Sequence, residues 1–206
     1  MQIYLASTSP ARLATLRAAG VEPVVIPSNV DEPAAVAAAG NPKPVELVQL
    51  LARLKAEAIT TRADAAHLDG FILGADSAFE LDGILYGKPH TPDIARERWS
   101  LQRGRTGTLH TGHWLIDHRG GSLGAATGTV ASARVTFADD LSDAELDAYI
   151  ATREPLHVAG AFTIDSLGAA FITAVDGDPH TVVGLSLSAL RTLLRGYGVQ
   201  WHELWA

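Results

Sequence analysis

The residue best suited to chemistry in this sequence is Asp76, which lies inside an apolar run at residues 71–79. Such a run is typical of a strand that is buried on both faces. An ionised carboxylate there needs a partner, a metal ion or a raised pKa, because burial disfavours its charge. Asp76 is therefore a candidate functional carboxylate, and a structural carboxylate tied to a turn or an arginine is the alternative.

A second candidate is an anion site between Ser7 and Arg12. Ser9 and Pro10 are typical of a helix start, with Ser as the N-cap and Pro at the first helical position. The free N–H groups of such a start, with hydroxyls beside them, can bind a phosphate. Arg12 falls in the first turn, where the helix dipole disfavours a cation. Either an anion is bound in front of it, or its side chain simply points into water.

An acidic pair, Asp31 and Glu32, ends an extended stretch just before Pro33. Two interpretations are open. The pair is a solvated loop, or one of the two carboxylates holds a hard divalent cation through oxygen, as Mg²⁺ prefers.

Two lysines, Lys55 and Lys88, each have a structural and a functional interpretation. Lys55 borders a predicted stripe of Leu47, Leu51, Leu54 and Ala58. Its ammonium either reaches water along the core edge or reaches a phosphate.

Lys88 follows a predicted hairpin, which the Asp-Gly pair at residues 82–83 indicates. It lies on the strand next to Asp76 or just past its end, as a plain salt bridge or as part of a phosphate site. Residues 83–88 do not match a P-loop, because the spacing is one residue short, Pro follows the Lys and no helix starts there.

The elements that must position these residues form an alternating pattern. We predict strands at 2–6, 24–26, 71–79, 108–117, 127–137, 168–175 and 181–184. We predict helices at 10–19, 44–63 and 91–102, another after the capping box of Ser142 and Glu145, and a last one from Ser186 to residue 196.

Composition excludes several classes of protein. At 206 residues a single domain is the better expectation. A net charge of −7 argues against broad nucleic-acid binding. The sequence contains no run of about 18 apolar residues, so no membrane span is predicted. The sequence has no Cys, which excludes disulfides and thiolate zinc sites and, with no visible secretory signal, favours the cytoplasm.

Two further kinds of site are disfavoured. His110 and His113 are three residues apart on a predicted strand, so they face opposite sides and are poor joint metal ligands. No Gly-x-Ser-x-Gly elbow supports a serine hydrolase, and Ser9 is better explained as a helix cap.

The motifs together resemble the Maf-like nucleoside triphosphate pyrophosphatases. The matching segments cover nearly the whole chain in the family's order: residues 5–12, 30–32, 55–56, 74–77, 87–89, 104–106, 155–168 and 183–185. The resemblance implies an α/β fold, with one Maf-like domain over residues 1–206, an elongated central mixed sheet, flanking helices and two lobes around a cleft. It also implies a cytoplasmic enzyme, commonly dimeric, that hydrolyses a nucleoside triphosphate to the monophosphate and pyrophosphate with Mg²⁺ or Mn²⁺.

The resemblance also assigns residues. Asp76 matches the family's proton acceptor, and Glu32 and Asp76 match its metal ligands. The substrate-binding positions are those that match Ser7, Arg12, Lys55, Ser77, Lys88 and Asp165.

Base preference is left open by this comparison, because Ala11, Ser77 and Asp165 fit neither the dTTP/UTP pattern nor the 7-methyl-GTP pattern. A nucleotide-binding regulator of cell division without turnover, which the family's historical naming suggests, is the alternative function.

Overall fold

The computed structural model describes residues 1–40 and 42–206, which form an α/β fold. The strands are β1 (Ile3–Leu5), β2 (Val24–Val25), β3 (Gly70–Leu81), β4 (Ile84–Tyr86), β5 (Thr106–His118), β6 (Ala126–Phe137) and β7 (Ile172–Asp176). The helices are α1 (Pro10–Ala18), α2 (Glu32–Ala38), α3 (Pro44–Thr60), α4 (Pro92–Gln102), α5 (Asp143–Ala151), α6 (Pro179–Val183) and α7 (Leu187–Gly196). Among the described residues, no helix combines the length and apolar character needed to cross a bilayer.

The strands form one mixed sheet, as predicted. Its order is β2-β1-β3-β5-β6-β7, with β4 paired to β3. β1 is parallel to β2 and β3, whereas β4 and β7 are antiparallel to β3 and β6. Leu5 lies opposite Leu73, and Ala6 N–H donates to the Leu73 carbonyl at 2.8 Å. The turn that follows β1 therefore begins beside the part of β3 that leads to Asp76.

The chain divides into two compact units. The first comprises Met1–Asp76, Thr111–Ala131 and Gly184–Ala206, and the second comprises Ser77–His110 and Ser132–Val183. The first has an aliphatic core around β1, β3 and α7. The core of the second is rich in aromatic side chains that meet edge to face, which is a favourable geometry for aromatic rings: Phe79, Trp99, Phe137, Tyr149 and Phe162.

Helix α3 presents a different face from the predicted one. Its buried residues are Val48, Leu51, Ala52, Lys55, Ala56 and Ile59, whereas Leu47, Leu54 and Ala58 are only half-buried. The reason is Gly74 in β3. A Cβ there would lie 2.0 Å from the Ala52 carbonyl oxygen, so the helix backbone passes directly over the strand. Lys55 is thus in the middle of the buried face, not at its border.

We expect Gly74→Ala to lower the free energy of unfolding by about 3 kcal/mol, because an added methyl group would overlap backbone that cannot move aside. Urea denaturation at equilibrium measures this. Gly196→Ala is the matched control, since nothing lies within 4 Å of a Cβ there. It should leave stability unchanged or slightly raised. Equal stability of both variants would contradict the close approach of α3 to β3.

One predicted strand is wrong and another is wrong in part. Residues 181–184 were predicted to be a strand, but residues 181–183 lie in α6 and Gly184 follows in a turn. Pro179 opens this helix, and the Asp178 carboxylate accepts from the His180 N–H at 2.9 Å, which stabilises a helix start. The strand predicted at 168–175 begins only at Ile172, because a 3₁₀ turn occupies Leu167–Phe171.

Candidate active site

The turn between β1 and α1 has the predicted form. Ser9 is the N-cap and its hydroxyl accepts from the Arg12 N–H at 3.4 Å, with Pro10 at the first helical position. The Ser9 N–H in turn donates to the Ser7 hydroxyl at 3.2 Å. A short strand, a serine-rich turn and a capped helix therefore place Ser7 and Arg12 at one end of β1.

Arg12 does not point into water. Its guanidinium donates from Nη1 to Ser7 Oγ at 3.1 Å and from Nε to the Gly184 carbonyl oxygen at 2.7 Å. Burial lowers the pKa of Arg12, and the carboxylates of Asp76 and Glu32 oppose this shift. An arginine remains protonated even so. The structure therefore holds a buried cation at a helix start, where an anion is favoured.

Lys55 joins two carboxylates. Its ammonium donates to Asp76 Oδ1 at 2.6 Å and lies 2.8 Å from Glu32 Oε1. The side chain is buried within the helix face that crosses β3, so it is not a lysine that reaches bulk water along the core edge. We call Ser7, Arg12, Glu32, Lys55 and Asp76 the charged cluster, and all five belong to the first unit.

Asp76 lies in β3, in which every residue but two is buried. Burial raises the pKa of the Asp76 carboxyl, and the positive charges of Lys55 and Arg12 only partly offset that effect. Its hydrogen-bond partner is the lysine of α3 and not a turn, and the positive charge of Arg12 also acts on it. A carboxylate with a raised pKa is a better proton acceptor.

The charged cluster is accessible at one point only. Exposure is 8% for Ser7, Lys55 and Asp76 and 9% for Arg12, whereas the Glu32 side chain is 46% exposed. The two carboxylates of the acidic pair have different roles. Asp31 caps α2 by accepting from the Ala34 N–H at 3.0 Å, which leaves Glu32 as the carboxylate that faces Lys55.

The oxygen donors of the charged cluster fit a divalent cation. Two carboxylates, Glu32 and Asp76, converge on the same ammonium, so the site already gathers both around one positive charge. Within residues 1–40 and 42–206, no group of three or more His, Cys, Asp or Glu side chains could hold a metal ion alone. One or two carboxylates completed by phosphate oxygens and water is the donor set that Mg²⁺ commonly uses.

The remaining predicted site residues belong to the second unit. Ser77 is half-buried and directly follows Asp76 in β3. Lys88 is exposed and lies two residues past the end of β4, which pairs with Phe79–Leu81, so of its two predicted placements the one past the strand end is correct. Asp165 is exposed in an irregular segment.

Two contacts around Arg12, one of its own and one close to its partner Gly184 in the chain, were not foreseen. The Gly184 carbonyl accepts from Arg12, and Ser186, two residues on, donates its N–H to His113 Nε2 at 2.9 Å. His113 is completely buried, so it anchors the start of α7. Gly184 lies in the matching segment 183–185, and Ser186 was predicted to begin the last helix. A hydrogen bond between residues far apart in the chain, however, leaves no local signal in the sequence. His110 bonds separately to Ser132 and Glu80 in the second unit, so the two histidines share no ligand site.

Comparison with known proteins supplies independent findings. The chain matches the family model described as Maf-like protein over residues 2–197. A nucleoside triphosphate pyrophosphatase of Leifsonia xyli subsp. xyli is 66% identical over 209 residues, covering 100% of this chain and 97% of that protein. One from Saccharopolyspora erythraea is 48% identical over 206 residues, with the same coverage of both chains. The structure of a HAM1 protein from Coxiella burnetii aligns with a TM-score of 0.48 at 15% identity, covering 95% and 99% of the two chains.

Proposed function

Because this chain belongs to the Maf-like protein family, we propose that it is a nucleoside triphosphate pyrophosphatase that releases pyrophosphate and the nucleoside monophosphate. The observation that carries the proposal is the charged cluster. A buried carboxylate with a raised pKa, Asp76, lies in contact with Lys55, and Arg12 is fixed at a helix start nearby. A cation at a helix start, together with a second buried cation in α3, suits a polyphosphate, and a carboxylate in contact with that second cation suits proton transfer.

Binding begins at the turn between Ser7 and Arg12. The guanidinium of Arg12 is already oriented by Ser7 and Gly184, so little conformational entropy is lost when it binds a phosphate oxygen. Lys55 supplies a second positive charge. Both cations neutralise the charge that develops on the phosphate oxygens during the reaction, in a site with little water.

Hydrolysis requires one proton acceptor. Water attacks the α-phosphorus, its proton passes to the Asp76 carboxylate, and the bond from the α-phosphorus to the bridging oxygen breaks as pyrophosphate leaves. Such base assistance contributes about 10²–10⁴-fold to a rate. Glu32 and Asp76 would hold the divalent cation, Mg²⁺ or Mn²⁺, which when bound polarises the phosphate oxygens.

Three residues that match substrate-binding positions of the family belong to the second unit. Lys88 provides an exposed ammonium for a phosphate, Ser77 a hydroxyl beside Asp76, and Asp165 a carboxylate that could accept from base N–H groups. A homodimer and a cytoplasmic location remain expectations of the family resemblance, as does a single domain that includes both units.

A pyrophosphate-release assay over the common and modified nucleoside triphosphates tests the function. We expect release with Mg²⁺ or Mn²⁺ and its loss when EDTA is added. Enzymatic detection specific for pyrophosphate separates this cleavage from the release of inorganic phosphate. Nucleotide binding without any release would instead support the regulator of cell division. Release of inorganic phosphate alone would contradict attack at the α-phosphorus.

A further inference from the structure

The segment that receives the Arg12 side chain, residues 184–186, controls the orientation of its guanidinium. Arg12 donates from Nε to the Gly184 carbonyl oxygen at 2.7 Å and from Nη1 to Ser7 Oγ at 3.1 Å. A guanidinium is planar and its N–H groups have fixed directions. Two bonds from one plane therefore set the orientation of the whole group, and a shift of the Gly184 carbonyl would turn it.

Gly184 does not fix the direction of its own carbonyl. Its φ is 114°, a conformation that glycine adopts readily and other residues rarely adopt. Because glycine is the most permissive residue, the position of its carbonyl depends on the residues beside it. Leu185 and Ser186 are 0% and 1% exposed, so this segment lies inside the protein. Its buried contacts therefore decide where the carbonyl lies.

The imidazole of His113, in β5, holds this segment at Ser186. The Ser186 N–H donates to His113 Nε2 at 2.9 Å, and the Ser186 hydroxyl accepts from the Ala189 N–H at 3.1 Å as the N-cap of α7. His113 is 0% exposed, and its strand lies between β3 and β6 in the sheet. The segment is therefore tied both to the interior of the sheet and to α7.

The contact between His113 and Ser186 is sensitive to substitution. An imidazole nitrogen accepts a hydrogen bond only when it carries no proton, so His113 is neutral in this contact. A buried backbone N–H that loses its acceptor is costly, so loss of the imidazole favours a shift of the segment toward water or another acceptor. Gly184 is two residues away, and the shift would carry its carbonyl and the bound guanidinium with it.

We propose that His113 is a positioning residue for phosphate binding, which holds Ser186 so that the Gly184 carbonyl orients Arg12. All four residues belong to the first unit. The proposal rests on the proposed function, because it assumes that Arg12 binds a phosphate group of the substrate. His113 is too deeply buried to touch the substrate. It acts by removing freedom that the guanidinium would otherwise lose on binding.

The test compares two amide substitutions, His113→Asn and His113→Gln. The Gln carbonyl oxygen reaches about as far as Nε2 and can still accept from the Ser186 N–H, whereas the Asn side chain is too short. Calorimetric titration with inorganic tripolyphosphate and Mg²⁺ isolates phosphate binding, because this probe carries no base. We expect the dissociation constant to rise about tenfold in His113→Asn and to stay within about threefold of the wild type in His113→Gln.

Steady-state pyrophosphate release distinguishes positioning from a general defect. Using whichever of ATP, GTP, CTP and UTP the wild type cleaves best, we expect His113→Asn to raise KM with little change in kcat. His113→Leu leaves no acceptor and should behave like His113→Asn, which keeps the test available if the Asn variant does not fold. Ile116→Ala is the structural control, because Ile116 is buried on the opposite face of the same strand. It should lower thermal stability without changing the dissociation constant.

A double-mutant cycle tests whether His113 acts through Arg12. Once Arg12→Ala has removed the guanidinium, adding His113→Asn should weaken tripolyphosphate binding no further, because both changes affect one contact. Independent effects that multiply in the double variant would overturn the inference.

Failure of the function and failure of this inference give different results. Absence of pyrophosphate release by a wild type that binds tripolyphosphate contradicts the proposed function, and the binding series still decides the role of His113. Wild-type affinity in the folded His113→Asn and His113→Leu variants overturns the inference alone. So does an equal loss of affinity in Ile116→Ala, or a wild type that does not bind tripolyphosphate.

Discussion

Asp76→Asn should fold and lose nearly all turnover, with kcat lower by about 10²–10⁴-fold. Asn has the shape of Asp and can still accept from Lys55, but it cannot take a proton from water. Lys55 also keeps Glu32 as a partner at 2.8 Å, so the ammonium is not left unpaired in the protein interior. Asp76 is buried in β3, and an isosteric residue preserves that packing.

Steady-state pyrophosphate release measures this loss, and circular dichroism with thermal denaturation establishes that the variant is folded. Asp117→Asn is the control, since Asp117 is an ion-paired aspartate of the same unit whose partner is Arg119 at the surface. Its turnover should equal that of the wild type. A folded Asp76→Asn enzyme with wild-type kcat would show that another group accepts the proton.

Arg12→Ala should chiefly weaken binding of the nucleotide, raising KM roughly 100-fold, because truncation of a buried charge in a charged pair costs a few kcal/mol. The loss has two sources. The phosphate loses a cation, and the Ser7 hydroxyl and the Gly184 carbonyl lose the guanidinium that donates to them in the wild type. Arg12→Lys should recover only part of the affinity, because an ammonium cannot reproduce the two directed bonds of the guanidinium.

Calorimetric titration with an α,β-methylene nucleoside triphosphate separates binding from turnover. Arg17→Ala is a close control, because Arg17 lies in the same helix but is exposed and paired with Glu22. It should leave the dissociation constant unchanged. Equal affinity in the Arg12→Ala variant would mean that Arg12 serves only to join α1 to the Gly184 segment.

Much of the site is readable from the sequence, because local signals place it. Ser9 and Pro10 set the start of α1, the apolar run sets β3, and a carboxylate inside that run is conspicuous because its burial is costly. The sequence at residues 31–33 shows an acidic pair, but it does not show that the two carboxylates have different roles. Only the helix start at Glu32 shows that Asp31 is used as a cap.

Other features required the folded chain. The true face of α3 depends on Gly74, whose missing Cβ lets the helix backbone approach β3. Helical periodicity identifies the buried face of α3 from side-chain hydrophobicity alone. It therefore predicted the face that carries the leucines and placed Lys55 at the border of that face. The Thr and Val of residues 181–184 predicted a strand, whereas Asp178 and Pro179 begin a helix just before these residues.

The sequence by itself determined the chemistry of the site: a carboxylate in a buried strand, a cation at a helix start and an α/β pattern around them. Those are properties of short segments, where propensity and the cost of burial act locally. Only the tertiary structure decided which groups pair, as in Lys55 with Asp76 and Glu32, and Arg12 with Gly184. Hydrogen bonds between groups distant in sequence form only when packing brings them within about 3 Å, and no spacing along the chain encodes that distance.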